Sequence, residues 1–424
     1  MKQPHARLAA PLAALALLAA TVGPALVAGE APAAGGVSRP AGYVRVDVPA
    51  GGLALAALPF DPFAGTLAEL LEGQLGEGDS LLVWDADSGA YASLVRAADG
   101  SWAPAPAGGA GEGDAGEGDA AAPLAAAGAV FWLRNSGGAA RTAFLSGGVV
   151  LDAAREAVLP PGRSFASYPF LRAFAAAGPA GAGPADRLLA WDAASAAWLE
   201  GGAAGAPPRP IPPGEGFAFD RAGAEPLAWS APRPWPDPFP AAGGLPRIEA
   251  LEVSADPPAA RLLIRSEPGR GRPVHILFQD VPDGGSFDPF AWRLAGSFET
   301  GGSPLSEWAD EGAPGRPPVT APRARCYLAV CGLADADGDG VVDGLEAFLH
   351  KTDWRSADTD RDGLADGWEL ARGLAPRDPA DASASPFGDG FTNLQKFRLG
   401  LDPRVRAAAD ASGKTALRIL TPLE

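Results

Sequence analysis

Two stretches of twelve residues constrain this chain more than anything else in it. DADGDGVVDGLE runs from Asp335 to Glu346, and DTDRDGLADGWE from Asp358 to Glu369. Each puts carboxylates at its first, third, fifth, ninth and twelfth positions and a glycine at its sixth. Carboxylates crowded this closely repel one another, so without a cation the loop stays open or its pKa values rise. Alternating aspartates converge when such a chain curls, and the sixth-position glycine permits the sharp turn. The seventh residue offers a backbone carbonyl, and a glutamate on the first turn of a following helix closes the site with both oxygens. Oxygen donors in that number suit Ca²⁺. The expected ligands are Asp335, Asp337, Asp339, Val341, Asp343 and Glu346 in the first loop, and Asp358, Asp360, Asp362, Leu364, Asp366 and Glu369 in the second. A merely solvated acidic turn is the alternative, and two complete matches at a period of 23 residues disfavour it.

A third unit, GDGFTNLQKF from Gly388 to Phe397, is worn down. Asp389, Gly390, Phe391 and Asn393 fall on the fifth, sixth, seventh and ninth positions, but Ser385, Phe387 and Lys396 fall on the first, third and twelfth. It is expected to bind no calcium, or to bind weakly by recruiting Asp378 or Asp381. RCYLAVCGLA enters the first loop as a strand, which argues against a paired EF-hand. Short helices follow the loops at 344–351, 367–372 and 393–399, the last two ended by Gly373 and Gly400. Their apolar faces are small, so the ion is expected to supply much of the order.

The repeated Asp-x-Asp-x-Asp-Gly-x-x-Asp-x-x-Glu, closed by DGLE and DGWE, resembles thrombospondin type 3 repeats in their bacterial form. The resemblance covers about 335–403. It implies structural calcium in an extended, non-catalytic segment, such as stands near the C-terminus of exported bacterial proteins. It carries the ligand roles to the ten carboxylates named above and to the carbonyls of Val341 and Leu364. Dockerins share the loop but usually close it with Asp and continue into a longer helix.

The rest of the chain fits an exported β protein. Lys2 and Arg7 followed by the apolar Leu8–Ala28 form a signal peptide over 1–28, although a membrane anchor is the competing possibility. A net charge of −17 disfavours nucleic acid and anionic membrane, and attracts cations. No membrane span is expected after cleavage.

DSLLVWDADSGAY (Asp79–Tyr91) recurs as DRLLAWDAASAAW (Asp186–Trp198), which marks an internal duplication. Its copies span 40–152 and 153–232. The first carries a Gly/Ala/Pro-rich insert at 103–123, expected to be disordered. Short alternating runs such as YVRVDV and TAFL are strand signals, and Thr66–Leu75 is the one clear helix. A Pro-rich linker at 231–246 leads into a small antiparallel β-sandwich at 245–332, then come the repeats at 333–403 and a tail at 404–424. The expected fold class is therefore mainly β: duplicated modules, a sandwich and a segment of loops and short helices.

Cys326 and Cys331 are the only cysteines; five apart on a regular strand they face opposite sides, so a bridge needs a turn, and separate buried thiols are the alternative. His275 and His350 sit in no pairing motif. These features point to a non-catalytic secreted or cell-surface protein whose β modules meet an extracellular protein or glycan. The alternative is a secreted carbohydrate-binding protein or glycoside hydrolase, for which Asp85 and Asp192 beside Trp84 and Trp191 are the candidates. Both aspartates read better as turn residues, because an active site is rarely duplicated in both halves of a repeat.

Overall fold

The computed structural model describes residues 36–406, except 86–89, 106–124, 176, 238, 240–245, 268, 314–315 and 333. The expected signal peptide, nearly all of the insert and the tail beyond residue 406 lie outside the described residues. The protein is mainly β, with several antiparallel sheets and few helices.

The duplication is written in the strand order. In the first copy, strands Leu53–Ala57, Val130–Arg134, Ser80–Asp85 and Ala90–Arg96 lie side by side, extended by Trp102–Pro104. In the second, Gly162–Ser167, Gly216–Arg221, Arg187–Asp192 and Ala197–Glu200 repeat that order. The aspartate that opens each motif explains why it recurs. Buried Asp79 accepts from the Gly76 and Ser136 N–H groups at 2.7 and 2.8 Å and pairs with Arg141 at 2.6 Å. Buried Asp186 accepts from Gly183 and Ala222 at 2.7 and 2.8 Å and pairs with Arg221 at 2.6 Å. Each carboxylate satisfies two backbone donors and ties two strands together.

The sheets cut across the boundaries drawn from the sequence. Ala41–Val48, from the first module, lies between Ala324–Cys331 and Arg141–Val149 in a six-stranded sheet that also holds Arg270–Val281, Arg293–Gly301 and Phe60–Pro62. The reason is that Ala41–Val48 carries Val44, Val46 and Val48 on one face and Ala41 and Tyr43 on the first half of the other, so both faces need cover there, while Arg45 and Asp47 pair with each other toward water. Ala41 and Tyr43 enter one core, and Val44, Val46 and Val48 the other. A three-stranded sheet of Arg247–Ala255, Pro258–Arg265 and Leu305–Asp310 covers the Tyr43 face and completes the sandwich. Arg325, fully buried in that region, pairs with Asp280 at 2.6 Å and Asp310 at 3.2 Å.

Ala324–Cys331 is a regular strand, buried throughout. Cys326 belongs to one core and Cys331 to the other, so both are free thiols on opposite faces, and burial raises the pKa of each.

Two local expectations change. The helix expected over Thr66–Leu75 is only Leu67–Leu70. Thr66 caps it with Glu69 in a reciprocal pair of hydrogen bonds, and Gly73, at φ +73°, interrupts the run that follows. The Pro-rich segment at 231–246 is more than a linker, because its aromatic side chains are too large to leave in water. Trp235 packs on Phe287 at 5.1 Å, and Phe239 stacks on Phe348 at 5.4 Å. Phe348 lies in the short helical stretch Glu346–His350 after the first acidic loop, so the C-terminal segment shares the main core. Gly344 makes the approach close: a Cβ there would come within 2.7 Å of Val37 and Val330.

Candidate metal centre

The three repeat units share one frame. The ninth-position N–H donates to the carbonyl just before each loop: Asp343 to Ala334, Asp366 to Ala357 and Asn393 to Ala384, each at 2.9 Å. Gly340, Gly363 and Gly390 take φ of +97°, +92° and +87° at the sixth position, where a side chain would be strained. The seventh-position N–H then reaches back to the fifth-position carboxylate. Val341 donates to Asp339 and Leu364 to Asp362 at 2.8 Å, and Phe391 to Asp389 at 3.2 Å.

This frame turns the carboxylates inward. Asp335, Asp337 and Asp339 bring oxygens within 4.8 Å of one another, as do Asp358, Asp360 and Asp362. Two further groups close the sites from the side: Asp339, Glu346 and Asp366 in the first, and Asp362, Glu369 and Asp381 in the second. The helices Asp343–Leu345 and Asp366–Leu370 start at the ninth position and carry the twelfth-position glutamates inward one turn later. Glu346 and Glu369 are both fully buried. Thr352 donates to Oε1 of Glu346 at 3.1 Å, but Oε2 has no hydrogen-bond partner, and neither oxygen of Glu369 has one. Burial first, and then the surrounding aspartates, push both glutamates up to about 8. Asp337, Asp360, Asp362 and Asp366 are raised too, with burial the largest cause. Buried, unpartnered, mutually repelling carboxylates are a poor resting state, and these acidic clusters could hold a metal ion.

The ninth-position aspartates behave differently from the other expected ligands. Asp343 accepts from the Ala336 N–H at 2.8 Å, and Asp366 from Thr359 N–H and Oγ1 at 2.8 and 2.5 Å. They clamp the start of their own loops. Asp366 also contributes an oxygen to the first loop's group, while the Gly367 N–H donates to Asp339 at 2.7 Å. The first site is therefore built partly from the second unit. Asp381 does the same for the second site and was not among the expected ligands there. Its one sequence signal is its place a full 23-residue period after Asp358.

Asp192, the hydrolase candidate, accepts from Ser195 Oγ at 2.5 Å and the Ala194 N–H at 3.2 Å, bonds that lower its pKa. It holds the turn of its hairpin. The side chain of Asp85 lies outside the described residues. Compared with family models, with curated proteins and with solved structures, the chain matches none.

Proposed function

We propose that this is a non-catalytic calcium-binding protein of the cell exterior, in which two calcium ions fold and stiffen a thrombospondin type 3-like segment that serves the β body as spacer or clip. The observation that carries this is the pair of fully buried glutamates, Glu346 and Glu369, with unpartnered oxygens facing clustered aspartates. An unpaired buried carboxylate costs several kcal/mol, which a cation at the cluster would offset. An all-oxygen donor set favours Ca²⁺ or Mg²⁺ over the transition metals, and a flexible set of six or more favours Ca²⁺. The five-residue helix Asp366–Leu370, which carries Glu369, is too short to be stable alone, so binding and local folding are coupled. Affinity on the order of 10⁻⁴–10⁻³ M is in the range of extracellular modules. The expected signal peptide and the acidic balance agree with that location.

Terbium luminescence is the test. Trp368 stands between Asp366 and Glu369, close enough in sequence to sensitise an ion in the second loop. Sensitised emission that saturates and is displaced by Ca²⁺ is the expected result. No saturable emission, or emission that Ca²⁺ fails to displace, would refute the proposal.

A further inference from the structure

The duplicated hairpins bring their aromatic pairs to one place. Trp84 lies directly opposite Tyr91 in the first hairpin, and Trp191 opposite Trp198 in the second. The modules turn these faces toward each other. Trp132 packs edge to face on Trp191 and Trp198, with centroids 5.0 and 5.7 Å apart, and Phe165 lies 6.2 Å from Trp84 and 6.3 Å from Trp198. Most large aromatics of the β body are sealed, among them Phe131, Phe217, Trp229, Trp235 and Trp292. Here Trp84, Phe165, Trp191 and Trp198 are only partly covered, Tyr91 is 37% exposed, and a cleft of about 370 Å³ opens between the modules. A contact that only joined two modules would close over these rings. An open apolar cleft with a few polar groups is the usual form of a binding site.

Hydrogen-bonding character selects the occupant. The polar side-chain groups at the cleft are the Arg163 guanidinium, the indole N–H groups and the Tyr91 hydroxyl. Guanidinium and indole donate and never accept. The Tyr91 oxygen already accepts from Trp132 Nε1 at 3.3 Å, and Trp191 Nε1 donates to the Leu53 carbonyl at 3.0 Å. Arg163 gives Nε and Nη2 to Asp220 at 2.7 Å each, so it meets the cleft as a neutralised pair with donor capacity left over. Among the described residues lining the cleft none is acidic. A ligand must therefore bring acceptors and apolar surface, and few donors. A sugar fits poorly, because each buried hydroxyl proton needs an acceptor. A proline-rich strand in the polyproline II conformation fits well: it offers carbonyls and ring methylenes, and its prolines have no N–H. Aromatic-lined grooves recognise such segments elsewhere by the same physics.

We propose that this cleft docks a proline-rich extended segment of a partner protein between the Trp84–Tyr91 and Trp191–Trp198 ridges, with Arg163 and indole N–H groups donating to its carbonyls. The chain's net charge of −17 favours segments flanked by Lys or Arg.

The full chain, with calcium present, is titrated with proline-rich peptides of about twelve residues bearing P-x-x-P cores and basic flanks, and separately with soluble gluco- and xylo-oligosaccharides. Tryptophan fluorescence and calorimetry report binding. The expected result is saturable peptide binding with Kd on the order of 10–100 μM, weakened at least about tenfold by Trp84→Ala or Trp198→Ala. Arg163→Gln and Tyr91→Phe, which leave the rings packed, are expected to weaken it roughly threefold to tenfold. No saturable peptide binding across the panel would overturn the proposal. So would unchanged affinity in folded Trp84→Ala and Arg163→Gln chains. Oligosaccharide binding lost in those variants, without peptide binding, would give the cleft to glycans instead.

Discussion

Asp389 and Lys396 form an ion pair 2.8 Å long between the fifth and twelfth positions of the third repeat unit, both side chains almost fully out of water. In the first two units those positions hold Asp339 with Glu346 and Asp362 with Glu369, whose oxygens converge. The third unit thus neutralises its fifth-position carboxylate from within the chain. Lys396 Nζ also donates to the Val405 carbonyl at 3.0 Å and lies 4.9 Å from the Phe387 ring, the residue at the third position. Lys396→Met removes the ammonium that pairs with Asp389 and donates to the Val405 carbonyl. It is expected to destabilise the segment by about 3 kcal/mol, in calcium and in chelator alike, read by urea denaturation. A loss that appears only in calcium would mean that the third unit binds the ion after all.

Glu369, from the end of the second loop, and Asp381, from beyond it, close the second site. Glu369→Gln keeps the shape and removes the charge, and is expected to lower the calcium stoichiometry from about two to about one by calorimetry. Asp381→Asn, outside the twelve-residue loop, is expected to weaken one site by roughly 10–100-fold. Asp378→Asn is the control and should leave both sites unchanged. Equal binding by Asp381→Asn and the parent chain would show that the side-on carboxylate is not a ligand.

Asp186 gives the β body an acid sensitivity. Burial raises its pKa, but the Ala222 and Gly183 N–H groups and Arg221 outweigh that and leave it below its ordinary value. A depressed folded pKa stabilises the protein above the unfolded value of about 3.9, and the contribution is lost as pH falls through the folded value. The melting-temperature gap between the parent chain and Asp186→Asn should be full at pH 6 and shrink below about pH 4. A gap independent of pH would contradict this role.

Cys326 and Cys331 should not react with an aromatic disulfide reagent in the native protein, and both should react in denaturant. Burial covers the two thiols and raises their pKa, which suppresses the reactive thiolate. Rapid labelling of either native thiol would contradict its burial, and failure of both to react in denaturant would contradict the free thiols.

How much of this was legible in the sequence follows from the range of the interactions. The acidic loops could be read because ligand spacing is local: each curled loop needs only its own glycine and its own alternating aspartates. Strand types were legible for the same reason, as YVRVDV and TAFL show. The duplication was visible in DSLLVWDADSGAY, and the equivalent latches of Asp79 and Asp186 explain why the opening aspartate persists. What escaped is long-range. Nothing near Ala41–Val48 says that it will pair with Ala324–Cys331, more than 270 residues away. Asp366 and Asp381 serve the unit before their own, which a loop template cannot express. Phe239, in a Pro-rich stretch that resembles a spacer, finds its partner in Phe348, and only the assembled core brings the two together.

The most direct test of the central claim is the thermal unfolding of the full chain in calcium and in excess chelator, with magnesium as the control. At calcium near one hundred times its dissociation constant, each occupied site should add about 2.7 kcal/mol. For a domain of this size each kcal/mol is worth roughly 2–4 °C, so the transition that includes the C-terminal segment should rise by about 10 °C or more over chelator. Magnesium should give a small fraction of that. Superimposable melting curves in calcium and chelator would contradict calcium as the staple of this segment.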